Sequence, residues 1–125
     1  MIKLTFCLRR LPTLSREAFQ DYWFNTHGPL VASVAETLCI RRYVQLHSLA
    51  ADASAAIRAS RDTVEEYDGV AELWFDSLEA LADNARRPEA QAAGARLLED
   101  ERRFIDLPNS PLWWGNERVI VGQQG

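Results

Sequence analysis

Apolar and polar positions alternate from the start of the chain. Ile2, Leu4, Phe6 and Leu8 oppose Lys3, Thr5, Cys7 and Arg9, the period of a half-buried β-strand running to about Arg10. Leu11-Pro12-Thr13 breaks that pattern, and Ser15 is placed to cap a helix. In this helix Ala18, Phe19, Tyr22, Trp23 and Thr26 recur at helical spacing, with Arg16, Glu17, Gln20 and Asp21 on the other side. His27 continues the aromatic stripe four residues after Trp23, and Gly28-Pro29 predicts the end of the helix. A second helical piece follows to about Leu38, then a strand from Ile40 to Ser48. Along that strand Val44 and Leu46 face one way, and Tyr43, Gln45 and His47 the other.

Residues 49–66 are Ala-rich and charged, and read as a long loop holding a short helix at 54–60. Tyr67-Asp68-Gly69 turns the chain into a third strand, Val70 to Asp76, with Val70, Glu72 and Trp74 on one face. Ser77 caps a helix through Asn84, and Pro88 opens a longer one through Ile105. A Pro-containing loop with Trp113 and Trp114 then leads to a predicted last strand at 117–121 and a tail from Gly122 to Gly125. The order β-α-β-β-α-β predicts an α+β, ferredoxin-like domain spanning residues 1–125. Right-handed crossovers put the helices on one face of a four-stranded antiparallel sheet. The other face, expected to carry Tyr43, Val70 and Trp74, is left bare, and a second copy of the chain is its simplest cover: a dimeric α+β barrel.

Composition narrows the function classes. The chain has 125 residues, 47% hydrophobic and 26% charged, which suits one globular domain. A net charge of −4 argues against nucleic acid and anionic membrane as partners. Lys3, Arg9 and Arg10 interrupt any leader-like apolar run, and Cys7 and Cys39 lack a CxxC spacing and read as reduced thiols. A cytoplasmic location is the expectation.

His27 and His47 are the candidate acid and base, because imidazole titrates near neutrality. If strands two and three pair as neighbours, Glu72 is expected to approach His47 and hold its tautomer. Tyr43 and Gln45 are candidate donors to a carbonyl or enolate oxygen, and Trp23 and Trp74 candidate walls for an aromatic ligand. Each has a plainer reading as a packed core residue or a satisfied cross-strand pair. Asp100, Glu101 and Asp106 form an acidic group most simply read as a solvated helix face. The two histidines and Glu72 come from three separate elements with no close ligand motif, so no metal is expected. No phosphate loop or nucleophile motif is present.

Several segments resemble the EthD family. They are Lys3 to Phe6 with Arg9-Arg10, the helix start from Ser15 to Phe19, Tyr22-Trp23, and His27-Gly28-Pro29. Arg42 to Gln45 with His47, Tyr67 through Asp76, and Asp100-Glu101 with Phe104 to Asp106 extend the match over nearly the whole chain. The resemblance implies a dimeric α+β barrel. The family is named from ethyl tert-butyl ether degradation, where its role is accessory to an oxidising system. Similar proteins act on aromatic polyketide intermediates, and a related methylmuconolactone methylisomerase uses the same barrel without a cofactor. His27 resembles a catalytic-site histidine of that isomerase. The reading that follows is a cofactor-independent homodimer catalysing proton transfer (isomerisation, dehydration or decarboxylation) on a small hydrophobic or aromatic molecule. The alternatives are a non-catalytic binding protein assisting an oxygenase, and a haem- or metal-dependent oxidoreductase, since other barrels of this architecture bind haem.

Overall fold

A computed structural model describes residues 1–123; positions 124 and 125 of the expected tail lie outside the described residues. Four strands form one sheet: β1 (Ile2–Leu8), β2 (Arg42–His47), β3 (Gly69–Phe75) and β4 (Leu112–Gly115). The spatial order is β2-β3-β1-β4 with every neighbouring pair antiparallel, the ferredoxin-like arrangement. The helices are α1 (Arg16–Tyr22), α2 (Gly28–Val34), α3 (Ala55–Ser60), α4 (Leu78–Asn84) and α5 (Pro88–Glu101). Ser15 and Ser77 cap α1 and α4 as their positions predict, accepting from the amides of Ala18 and Ala80 at 3.1 and 3.0 Å.

Two elements depart from the sequence pattern. Gly28-Pro29 does not end the first helix. The chain passes through a π turn at Trp23–His27 straight into α2, with the Gly28 amide bonded to the Trp23 carbonyl. Pro29 cannot donate to the carbonyl four residues back, and one widened turn accommodates that loss without breaking the axis. His27 therefore sits inside a continuous helical run rather than at a helix C-terminus. The last strand is also displaced. Residues 112–115, which include both tryptophans, pair with β1, whereas 117–121 form no strand. Pairing follows the hydrogen-bond register against Lys3–Phe6, which 112–115 occupy in place of the Val119-Ile120-Val121 run. These three side chains are exposed, Ile120 and Val121 almost completely.

Register decides which side chains share a face. Tyr43 pairs with Leu73, Gln45 with Ala71 and His47 with Gly69, so this trio lies on the face that also carries Leu4, Phe6 and Leu8. That face packs under the helices. The core there joins Phe6, Leu8, Ala71 and Ile105 to the fully buried Phe19, Trp23 and Phe104. Phe104 lies 5.5 Å from Phe19 and 5.1 Å from Tyr22 between ring centroids. The opposite face carries Lys3, Arg42, Val44, Glu72 and Trp74. Tyr43 is thus not on the bare face with Val70 and Trp74. Its neighbours in the strand take that face instead, because side chains alternate.

One buried carboxylate ties the sheet to the first helix. Asp68 accepts from the Arg10 backbone amide at 2.9 Å and pairs with the Arg10 guanidinium and, at 3.2 Å, with Arg16 Nε. Immediately after it, Gly69 gives Trp23 room. A Cβ there would stand 2.8 Å from both Trp23 Cη2 and the Leu46 carbonyl oxygen. Gly69→Ala is therefore expected to cost about 1–3 kcal/mol of stability by overpacking. Chemical denaturation checks this, and a smaller loss in the Gly69→Ala/Trp23→Phe double variant would locate the clash on the indole.

Candidate functional site

Between the sheet and the helices lies a cavity of about 330 Å³. Its walls are mostly apolar, from Leu4, Phe6 and Leu73 of the sheet to Val31 of α2 and Leu97 of α5. Volume and lining suit a small ligand of one or two rings; a dry cavity of ~150 Å³ already accepts benzene. Into this apolar space come His27, Tyr43 and Glu101.

His27 is buried on the π turn, with its ring 5.0 Å from Phe104. Its Nδ1 lies 2.8 Å from Asp100 Oδ2. The other oxygen of Asp100 accepts from the Tyr22 hydroxyl at 2.6 Å. Burial works against ionising Asp100, but the hydrogen bonds from Tyr22 and His27 outweigh it and hold its carboxyl below the usual range. An ionised carboxylate only accepts, so Nδ1 carries the hydrogen and Nε2 is the ring nitrogen left to a ligand. Burial pulls the His27 pKa below 6.5 despite Asp100, which keeps the ring neutral at pH 7, with Nε2 free to accept a proton.

Glu101, the next residue, has the opposite environment. Its carboxyl makes no hydrogen bond among the described residues, and burial followed by the charge of Asp100 pushes it up to about 7. Two adjacent carboxyls are therefore split in state, one ionised against His27 and the other close to half-protonated near pH 7. Tyr43 reaches the same space. Burial raises its hydroxyl pKa, with Gln45 and the Trp23 side chain opposing and Glu101 adding to the rise.

The remaining sequence candidates are distributed differently. Trp23 lines the cavity but is fully buried, with its ring stacked on His47 at 4.5 Å. Gln45 and His47 lie outside the cavity, in a shallower recess floored by Phe24, Gly28, Pro29 and Ala32 and shared with Tyr43. Glu72 does not meet His47. It pairs with Val44 and Thr5 on the opposite face and binds Lys3 at 2.5 Å, because His47 stands opposite Gly69, an odd number of residues away. Trp74 is on that opposite face too, with Lys3 and Arg42 over its ring at 5.3 and 4.7 Å and its indole donating to Glu117. No residue of 49–66 lines the cavity.

Asp100, Glu101 and Tyr22 are the functional candidates that the sequence reading did not place. A usable signal existed. Ala90, Gly94, Leu97 and Glu101 form one stripe of α5 at four-, three- and four-residue spacing, so Glu101 is a carboxyl carried on the inward face. Among the described residues, no group of three or more His, Cys, Asp or Glu side chains is placed to hold a metal ion, and no helix is long and apolar enough to cross a membrane.

Comparison with solved structures finds the same fold in proteins of low identity. An ethyl tert-butyl ether D (EthD) family protein from Bacillus halodurans C-125 is 24% identical, with 94% of this chain and 99% of that one covered and a TM-score of 0.61. An EthD-like protein from Ralstonia eutropha JMP134 is 18% identical over 98% of this chain and 94% of that one, with a TM-score of 0.60. A dimeric ferredoxin-like protein of unknown function from Bacteroides fragilis is 13% identical, with 93% and 95% covered and a TM-score of 0.57. No curated protein matches the sequence. The EthD domain model matches residues 11–108, most of the chain and every element around the cavity except β1 and β4; the chain belongs to the EthD domain family.

Proposed function

We propose that this protein, acting as a single EthD domain, binds a small, largely apolar molecule in the sheet–helix cavity and catalyses proton transfer on it without a cofactor. The observation that carries this reading is the 2.8 Å contact between His27 Nδ1 and Asp100, which leaves Nε2 as a base in an apolar cavity. In this scheme Nε2 takes a proton from a carbon beside a carbonyl. The electron pair moves onto the carbonyl oxygen as an enolate, and the Tyr43 hydroxyl donates a hydrogen bond to it. Glu101, when protonated, supplies a proton to the ligand. Return of the proton to another carbon is isomerisation; departure of a hydroxyl with the Glu101 proton, as water, is dehydration. His47 and Glu72, seated elsewhere, take no part in the proton transfer.

We also infer a homodimer. Support comes from the sheet face that no helix covers, from the exposed Trp113 and Val119–Val121 beside it, and from the dimeric ferredoxin-like proteins of Bacteroides fragilis and Thermobifida fusca that share the fold.

The test uses α-tetralone, a bicyclic ketone, in deuterated buffer, with exchange at its α-carbon followed by proton NMR. Wild type is expected to exchange it above the buffer rate, and His27→Ala to lose about 10²–10⁴-fold. Saturable binding with no exchange would replace the enzymatic reading by a carrier role. The pH profile of exchange should rise as His27 loses its proton, with a midpoint below 6.5.

Stability should also depend on pH. The folded pKa of Glu101 lies above its ordinary 4.5, so the folded state holds this proton more tightly. That advantage is complete below about pH 4.5 and lost as pH rises through about 7, a change of up to about 3 kcal/mol. Glu101→Gln is therefore expected to be more stable than wild type at pH 8 but not at pH 4, as read by urea denaturation.

A further inference from the structure

Gln45, outside the cavity, acts on it through Tyr43, an argument that rests on the cavity reading above. The Gln45 amide has only one consistent orientation. Its side-chain nitrogen lies 3.0 Å from the Trp23 carbonyl, which can only accept, and 2.8 Å from the Tyr43 hydroxyl. Its oxygen lies 2.7 Å from His47 Nε2, which must then carry a hydrogen and donate. Both amide hydrogens are thereby used, one on Trp23 and one on Tyr43. The phenol oxygen thus accepts from Gln45 and keeps one hydrogen of its own, for which the described residues provide no acceptor. Tyr43 borders both the outer recess and the cavity. The unspent hydrogen is left to whatever the cavity holds.

We propose that Gln45, fixed in orientation by the Trp23 carbonyl, is a positioning residue that makes Tyr43 an obligatory hydrogen-bond donor to the ligand. The site therefore selects apolar ring compounds that place an acceptor oxygen, ketone or enolate, against Tyr43. A ligand lacking that oxygen leaves a buried hydroxyl hydrogen unpaired, which a hydrogen-bonding site rejects more strongly than a purely apolar one would. Turning the phenol the other way would require Gln45 to accept, which means flipping the amide so that its oxygen faces the Trp23 carbonyl, an acceptor against an acceptor. Gln45 itself does not touch the ligand.

Two measurements test this, one with ligand and one without. Affinities for α-tetralone and for tetralin, the same bicycle without oxygen, are measured by calorimetry on wild type, Tyr43→Phe, Gln45→Met, Gln45→Glu and the Tyr43→Phe/Gln45→Met double variant. Wild type is expected to prefer the ketone about tenfold. Tyr43→Phe should abolish that preference. Gln45→Met should reduce it although the hydroxyl remains, and Gln45→Glu should do so too, by accepting the Tyr43 hydrogen. The double variant should be no less selective than Tyr43→Phe alone. Equal loss of both probes in the Gln45 variants would mean a merely structural role and overturn the proposal, as would an unchanged preference.

The ligand-free measurement is the Tyr43 titration, followed by NMR of isotope-labelled tyrosine ring carbons. Loss of the Gln45 donor should move it upward in Gln45→Met, and an unmoved titration would overturn the proposal. If the titration moves but neither probe binds wild type, the cavity reading fails while the effect of Gln45 on Tyr43 stands.

Discussion

The seating of Trp23 against Gly69 is the constraint on which the rest of the site depends. The indole fills space that only a residue without a side chain leaves open at the start of β3, and its other face stacks on His47. Its carbonyl, within the π turn, accepts from both Gly28 and the Gln45 amide. Each contact fixes a different part of the site. The packing locks α1 onto the sheet, the widened turn sets the rotation of His27, and the carbonyl determines which way the Gln45 amide points. One aromatic residue thereby couples His27, Tyr43 and the sheet register.

Around that anchor the chemistry follows from unequal treatment of similar groups. Asp100 and Glu101 are neighbours on α5, but among the described residues the Asp100 carboxylate receives two hydrogen bonds and the Glu101 carboxyl none. Burial therefore leaves the first ionised and the second close to half-protonated near neutrality. An apolar cavity amplifies both effects, because charge is poorly screened there and an unpaired carboxyl is costly. Keeping Glu101 without a partner sacrifices stability at alkaline pH, a loss typical of a site prepared for a ligand rather than for packing.

The sheet separates two kinds of surface. Its helix-covered face holds the cavity and its polar groups. Its other face holds Lys3, Arg42, Glu72 and Trp74 in a network of ion pairs and cation–π contacts closed by Glu117. That network satisfies its own members and is oriented away from the cavity. The cavity and the uncovered face thus lie on opposite sides of the same strands, and the alternation of side chains along β2 and β3 enforces the division.

Much of the fold was legible in the chain itself. Period-two alternation in Ile2–Leu8, the Ser15 and Ser77 caps, the Tyr67-Asp68-Gly69 turn and the aromatic stripe ending at His27 are local signals, and local geometry obeyed them. The inward position of Glu101 was also written in the spacing of α5, though it resembled a solvated acidic face. What the sequence could not carry was register and rotation. Whether Glu72 meets His47 or Lys3 depends on a shift of one residue between strands joined by a long connection. Whether Gly28-Pro29 stops a helix or widens it depends on what packs on the far side of Trp23. Local preference determined which elements exist, whereas long-range pairing and burial decided which side chains share a space, because those energies exist only once distant segments are in contact.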